Sequence, residues 1–492
     1  VNIGFALDPP FEAVPDRPAL VADGEVCTYR QLETRIRQVS AALREHGVGR
    51  GDQVALVSLG SVLSVATIFA AARLGAAAAQ MNAYLTPGEL GQLTELVGAR
   101  VGVAGERFAD SLGSAMPGPV LTEATVFSSD PSGTSDLPAI SDPEVTEDET
   151  ALVLFTSGTT GLPKPIDISH RVVADRLAYY AKPIDPDAEQ VVDMMSAPIF
   201  HIGGTLGMFI SLHQGKQLVL LPRFEAGEWL TLVERHRVNQ TFVVPTMLRR
   251  ILDHPGFPTT DLTSLRALSY GAAAAPVDLI VRAIEAFPDV DFSNTFGQTE
   301  TLGAYAALTP DDHRRGDKLN SVGRPLPAVD VKILDLASGE PLPPGEVGEL
   351  VVRARQNTTD EWLHTGDTGW QDEEGYLYPT GRLSDTINRG GEKFGPVEVE
   401  EVLRTHPSVV DVGVVGVPDP ELGERVGAVV VASGPVSADA LVSYCASQIA
   451  TYKVPEYLEF VDELPTSALG KVTRRDLRAL LEGAPTITRS PS

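Results

Sequence analysis

The chain has 492 residues, 39 Lys and Arg against 66 Asp and Glu, a formal charge of −27, 43% hydrophobic and 21% charged residues. That length exceeds a single core and predicts two or more domains, and the composition is that of a folded globular protein rather than a disordered one. The acidic balance excludes non-specific attraction to nucleic acid or an anionic membrane, so any anionic ligand has to be held by a local arrangement of donors.

Cys27 and Cys445 lie far apart and form neither a metal spacing nor a disulfide framework, which fits a reducing cytoplasm. No basic region precedes an apolar core at the start of the chain, so no signal peptide is expected. The greasy stretch 62–79 is broken by Arg73 and Gly75 and reads as a core helix followed by a strand, not a membrane span.

In chain order, Leu32, Ile36, Val39 and Leu43 recur at helical spacing within 29–46, and 54–57 reads as a buried strand. The apolar run 151–155 is a further buried strand. Strands are predicted at 217–221, 241–244 and 265–270, alternating with helices at 228–236, 247–253 and 277–287. That alternation predicts α/β architecture, with doubly wound parallel sheets covered on both faces. Beyond about residue 320, short strands at 331–334, 348–352 and 375–378 are separated by Gly and Pro and predict a small antiparallel, β-barrel-like subdomain. A compact α+β tail follows: helices at 397–405, 438–449 and 474–481, strands at 409–417 and 426–432. The boundary falls at 382–385, giving a large domain of residues 1–384 and a small one of residues 385–492.

The strand at 151–155 feeds the polar loop Thr156, Ser157, Gly158, Thr159, Thr160, Gly161, Leu162, Pro163, Lys164. Hydroxyl donors, glycines that let backbone N–H groups converge, and a mobile cation suit a polyphosphate, although composition alone equally describes a surface linker. Further along, His201 stands between a strand end and a Gly-led helix. Gly271, Ala272 and Ala273 close a strand with small residues that a flat ring could approach. Asn294, Thr295, Phe296, Gly297, Gln298, Thr299 and Glu300 combine an aromatic ring, a hydroxyl and a carboxylate able to hold Mg2+. Asp367 suits ribose hydroxyls, Arg382 and Asp385 bracket the domain boundary, and Lys471 sits on a Gly-containing stretch near the C-terminus.

Each feature alone has a bland explanation, but together and in this order they resemble the adenylate-forming superfamily of acyl-CoA synthetases, peptide-synthetase adenylation domains and luciferases. The T-S-G-T-T-G-x-P-K signature is met at 156–164, aromatic-Gly-x-Thr-Glu at 296–300, T-G-D at 365–367 and G-R-x-x-D at 381–385. G-G-E-x-x-x-P-x-E-V-E is met at 390–400, Y-K-V-P at 452–455 and the C-terminal G-K at 470–471. The resemblance runs from about Tyr29 to Leu477.

It implies a two-step ligase. A carboxylic acid and ATP give an acyl-adenylate and pyrophosphate, and the thiol of coenzyme A then displaces AMP. On this resemblance, Thr156 to Thr160 and Lys164 grip the triphosphate; Gly271 to Ala273, Asn294 to Gly297, Asp367 and Arg382 bind the adenosine; Thr299 and Glu300 serve catalysis, Glu300 holding Mg2+. Lys471 drives adenylation and His201 gates the acyl pocket. The C-terminal domain is expected to swing about Asp385, bringing Gly390, Gly391 and Glu392 to the thiol channel. An acyl carrier protein is the alternative acceptor. A nucleotide-binding protein without catalysis is the alternative of another class, and oligomerisation is left open.

Two departures from the family pattern stand out. Pro165 occupies a position usually held by Gly and removes a backbone donor from the loop exit. The segment 356–361 is shorter than in relatives and is expected to lie away from the motif residues.

Overall fold

The computed structural model describes residues 2–22, 24–127, 144–156, 163–359, 361–466 and 472–481. It packs as two compact units, one of Val1–Leu319, Leu326–Val329 and Arg353–Glu361, the other of Asn320–Pro325, Asp330–Val352 and Trp362–Ser492.

In the first unit, helix Tyr29–Glu45 begins where Thr28 and Gln31 form a capping box, which satisfies two backbone N–H groups that the first turn leaves open. Its stripe Leu32, Ile36, Val39 and Leu43 is fully buried, each residue contributing roughly 1.5–3 kcal/mol of apolar burial. Helix Val62–Arg73 starts at a Ser61 capping box and is buried almost all round. Gly75, at φ 72°, reverses the chain into strand Ala77–Met81. The stretch flagged at 62–79 is therefore core helix and core strand.

A six-stranded sheet runs in the order Val120–Leu121, Val101–Ala104, Gln53–Val57, Ala77–Met81, Thr150–Thr156, Lys164–Ser169. Its pairs are parallel except the last. The other sheet of this unit runs Gly303–Leu308, Asp291–Gln298, Ala267–Gly271, Gln240–Val243, Val192–Met195, Gln217–Leu220, Pro18–Ala22, Glu25–Thr28. It too is parallel inside, with antiparallel pairs at Gly303–Leu308 and Glu25–Thr28. Both predicted parallel sheets thus carry an antiparallel flank, and in each case that flank adjoins a motif. Helices pack these sheets into a core that includes Phe69, Phe209, Leu154 and Leu218.

The second unit holds the sheet Asp330–Leu334, Gly348–Arg353, Leu363–Gln371, Leu377–Arg382 and a C-terminal sheet ordered Glu392–Phe394, Ile387–Arg389, Gly423–Ala432, Val409–Asp419. Tyr457–Phe460 adds to Gly423–Ala432 in parallel. Helices Pro396–Arg404, Ala438–Ala446 and Arg474–Leu481 cover it, with Val399, Leu403, Val412, Val426 and Leu441 in its core. Gly395 passes so close to Thr380 that a Cβ there would lie 2.2 Å from the Thr380 carbonyl oxygen.

Candidate active site

Strand Thr150–Thr156 is parallel to Ala77–Met81, so Thr156 emerges at the carboxyl edge, where ligands of α/β sheets gather. The chain returns on Lys164–Ser169, with Lys164 opposite Thr156 and Pro165 opposite Phe155. That return strand is the outermost of its sheet, a place where proline's missing N–H is tolerated. Pro165 is thereby accommodated on an edge strand. Ser157, Gly158, Thr159 and Thr160 lie outside the described residues, as does Lys471.

The other half of the first unit's motifs lies on two parallel neighbours. Gly271 sits opposite Thr295 and Tyr270 opposite Asn294, and Thr295 Oγ1 donates to the Tyr270 carbonyl at 3.3 Å. A Cβ on Gly271 would fall 2.2 Å from the Thr295 carbonyl oxygen, so only glycine permits this approach. Ala272 follows at φ 66°, a left-handed conformation that costs a non-glycine residue roughly 1–2 kcal/mol. Ala273 continues the same turn beyond the strand end. Strain is thus held at the turn that the family resemblance implies for adenosine binding.

Strand Asp291–Gln298 ends in the 3-10 turn Thr299–Thr301, tied by Thr301 Oγ1 donating to Gln298 O at 3.0 Å and Gly303 O at 2.6 Å. Leu302 and Gly303, both at positive φ, then send Gly303–Leu308 back antiparallel. Thr299 and Glu300 are half-buried on this turn, and Phe296 packs edge-on to Tyr305 with ring centroids 5.2 Å apart. The Glu300 carboxylate makes no hydrogen bond or ion pair with a described residue. No group of three His, Cys, Asp or Glu side chains forms a metal cage among the described residues. A single free carboxylate fits Mg2+, which is commonly held by one or two carboxylates with substrate phosphates and water completing its shell.

The short segment 356–361 does not lie away from the motifs. Thr358 N–H donates to the Glu300 carbonyl at 2.9 Å, Gln356 Nε2 donates to the Ala304 carbonyl at 3.3 Å, and Arg355 pairs with Asp175 at 3.3 Å. It braces the turn that carries Glu300. Polar composition alone gave no sign of that contact, because it runs through backbone groups.

His201 precedes helix Ile202–His213 and is half-buried, its ring 4.7 Å from that of Phe200. Thr205 N–H donates to the His201 carbonyl at 2.9 Å. Along that helix, Leu206 faces Gly303, where an added Cβ would come within 2.8 Å of its Cδ2.

In the second unit, Asp367 lies opposite Arg382 on neighbouring antiparallel strands. The Arg382 guanidinium donates to the Thr365 carbonyl at 3.2 Å. Asp385 closes the 3-10 turn Leu383–Asp385. Gly390 and Gly391, at φ 62° and 98°, form the two-residue turn between Ile387–Arg389 and Glu392–Phe394, a geometry that glycine adopts freely. On either side of the stretch that holds Lys471, Thr466 and Val472 bridge and Thr473 N–H donates to the Pro465 carbonyl at 3.0 Å. Helix Arg474–Leu481 then starts with Arg474 bonded to the buried carboxylate of Glu400 and, at 2.6 Å, to the Val414 carbonyl.

One buried polar side chain near these motifs escaped the sequence reading. Arg176 lies on the inward face of helix His170–Tyr180 with Val172, Val173 and Leu177. An arginine at core spacing was the available signal.

These motif-bearing turns sit on a chain matched by the family model AMP-binding enzyme over residues 10–360 and by the AMP-binding enzyme C-terminal domain over residues 398–471. The chain belongs to the AMP-binding enzyme family. It is 32% identical to a fatty acid–[acyl-carrier-protein] ligase, ScoC, of Streptomyces coeruleorubidus, with 94% of this chain and 93% of that one covered. It is 34% identical to a feruloyl-CoA synthase of Amycolatopsis sp, with 94% and 96% covered. The solved structure of o-succinylbenzoate coenzyme A synthetase from Bacillus subtilis, in complex with ATP and magnesium ion, superposes with a TM-score of 0.82 at 28% identity, covering 96% of this chain and 99% of that one. The protein is accordingly an AMP-forming acid–thiol ligase of the acyl-CoA synthetase kind.

Proposed function

We propose that the protein condenses a carboxylic acid with ATP to an acyl-adenylate, releasing pyrophosphate, and then transfers the acyl group to the thiol of coenzyme A, releasing AMP. The observation that carries this reading is the paired arrangement of Gly271 against Thr295 with Thr299 and Glu300 on the turn that ends the same strand. It sets a glycine-lined edge for a flat ring beside a hydroxyl and an unengaged carboxylate.

The physical difficulty of the first step is that a carboxylate must approach an α-phosphate that is also negative. Donors at Thr156 to Thr160, the Lys164 and Lys471 ammonium groups and the Thr299 hydroxyl lessen that repulsion. Mg2+ held at Glu300 neutralises phosphate charge when bound. Asp367 accepts from the ribose hydroxyls and Arg382 orients Asp367. His201 stands at the entry to the acyl pocket.

Residues 385–492 act as a mobile lid turning about Asp385. The lid first presents Lys471 and then Gly390, Gly391 and Glu392, so one scaffold serves both half-reactions. The described residues contain no helix long and apolar enough to cross a membrane. A cytoplasmic location is part of the same proposal, supported by the free thiols of Cys27 and Cys445.

The similarity to a carrier-protein ligase supports a second reading, in which the acceptor is the phosphopantetheine thiol of an acyl carrier protein. The test is pyrophosphate release across a panel of acids, followed by product analysis with coenzyme A and, separately, with a phosphopantetheinylated carrier. A CoA thioester supports the first reading. A charged carrier without any CoA thioester replaces it with the second, and a failure of every acid to elicit pyrophosphate release overturns both.

A further inference from the structure

Arg176 is 1% exposed, and its charge is hardly satisfied. Its Nη2 donates to the Ala304 carbonyl at 2.8 Å, while its Nε has no hydrogen-bond partner among the described residues. The guanidinium lies 5.2 Å from the Tyr180 ring centroid and 5.7 Å from that of Tyr179. No carboxylate pairs with it among the described residues, since the adjacent Asp175 faces Arg355 at 3.3 Å. Burial pushes its pKa down. A guanidinium carries five donors in a planar fork matched to a carboxylate, and burying one without a counter-charge is unfavourable unless a partner arrives.

Its position says which partner. Ala304 stands opposite Gly297 in the antiparallel ladder, on the strand that leaves the Thr299–Glu300 turn. Helix Ile202–His213, which follows His201, packs on that same strand through Leu206 and Gly303. Arg176 therefore sits where helices His170–Tyr180 and Ile202–His213 meet strand Gly303–Leu308, bonded to the residue that faces Gly297 of the motif proposed to activate the substrate's reacting carboxylate.

Building on the proposed ligase function, we propose that Arg176 receives a second carboxylate, carried at the end of the acid substrate remote from the carboxylate that is activated. The substrate class is then a dicarboxylic acid or an aromatic acid bearing a distant carboxylate. Tyr179 and Tyr180 flank the cation, and Gln356 shares the Ala304 carbonyl with it, so the fork keeps donors available for the ligand.

The experiment is acid-dependent pyrophosphate release by the full-length enzyme with matched pairs of acids, each pair equal in length and differing only in a terminal carboxylate against a methyl group or a neutral hydroxyl. The expected result is a preference of about 10–100-fold in kcat/KM for the carboxylate-bearing member at one chain length, the scale of a charge-assisted bidentate contact. That preference should be lost in Arg176→Met and reduced, though still in favour of the carboxylate, in Arg176→Lys. A wild-type enzyme that activates the methyl or hydroxyl member better at every length overturns the proposal whether or not the variants fold. If no acid of either series elicits pyrophosphate release, the ligase reading itself fails. Arg176 is then judged by binding: a thermal shift from the dicarboxylates seen in wild type and absent in Arg176→Met sustains the anion site, and equal shifts in both proteins overturn it.

Discussion

Asp367 and Arg382, on facing antiparallel strands, are joined by an ion pair of 2.7 Å between Arg382 Nε and Asp367 Oδ1. The carboxylate is mostly buried and the guanidinium half-exposed. Asp367 N–H is in turn held by Thr365 Oγ1 at 3.0 Å, and Thr365 Oγ1 donates to the Leu350 carbonyl at 2.7 Å. Two residues read separately from the sequence as nucleotide ligands are thus a single unit, with the arginine fixing the rotamer of the acid. Asp367→Asn keeps the shape but halves the acceptor capacity towards two hydroxyl groups. It is expected to raise KM for ATP by about 10-fold or more, the scale of a hydrogen bond to a charged group, with 2′-deoxy-ATP discriminated less than by wild type. Steady-state AMP formation with both nucleotides checks this.

Gly297 is fixed by close approach. A Cβ there would lie 1.9 Å from the Gly303 carbonyl oxygen and 2.6 Å from its carbon. Gly297→Ala should push the strands apart at the Glu300 turn, costing about 1–3 kcal/mol of stability as overpacking does. Adenylation should fall more steeply than thioester formation from supplied acyl-adenylate. Chemical denaturation and the two half-reaction assays measure the two effects.

The Tyr270–His313 pair gives a pH dependence. His313 Nδ1 lies 2.8 Å from the Thr309 carbonyl and must donate to it, which leaves Nε2 to accept from the Tyr270 hydroxyl at 2.9 Å. Burial pushes the His313 pKa below its ordinary value of 6.5, outweighing the opposing effects of the Thr309 bond and Asp312. A depressed folded value means that the unfolded chain binds the proton more readily, so this contribution is present above pH 6.5 and lost as pH falls through the folded pKa. Denaturation at about pH 7.5 and about pH 5 should show a loss of stability on acidification that is smaller in His313→Gln.

Glu400 is the anchor of the C-terminal helix. Its Oε1 accepts from Val414 N–H at 2.9 Å and from the Arg474 guanidinium, and only 6% of its side chain is exposed. Removing it leaves a cation and a backbone donor unsatisfied, so Glu400→Ala should lower stability by about 3 kcal/mol, the lower end for breaking a buried pair. Urea denaturation of the full-length protein reads this directly.

Much of the fold was legible because burial periodicity is local. Leu32, Ile36, Val39 and Leu43 marked their helix, and helix Arg474–Leu481 falls where the pattern placed it. Strand direction was less legible: the antiparallel flank at Gly303–Leu308 depends on a turn in which Leu302, a non-glycine residue at positive φ, carries no sequence signature. Motif residues were legible as types but not as pairs, as Asp367 with Arg382 illustrates. The bracing of Glu300 by Thr358 was illegible, since a backbone-to-backbone bond across 58 residues leaves no trace in side-chain chemistry. Arg176 was legible in principle, as a cation on an otherwise apolar stripe.

The central claim is that one ligase carries out two half-reactions with different residues, Lys471 serving only the first. The most direct measurement compares Lys471→Ala with wild type in acid-dependent pyrophosphate release and in thioester formation from supplied acyl-adenylate. The account predicts a fall of roughly 10²–10³-fold or more in the first, the scale of losing a preorganised charge contact, and a second rate close to wild type. Equal loss of both half-reactions, or adenylation that survives without Lys471, would contradict it.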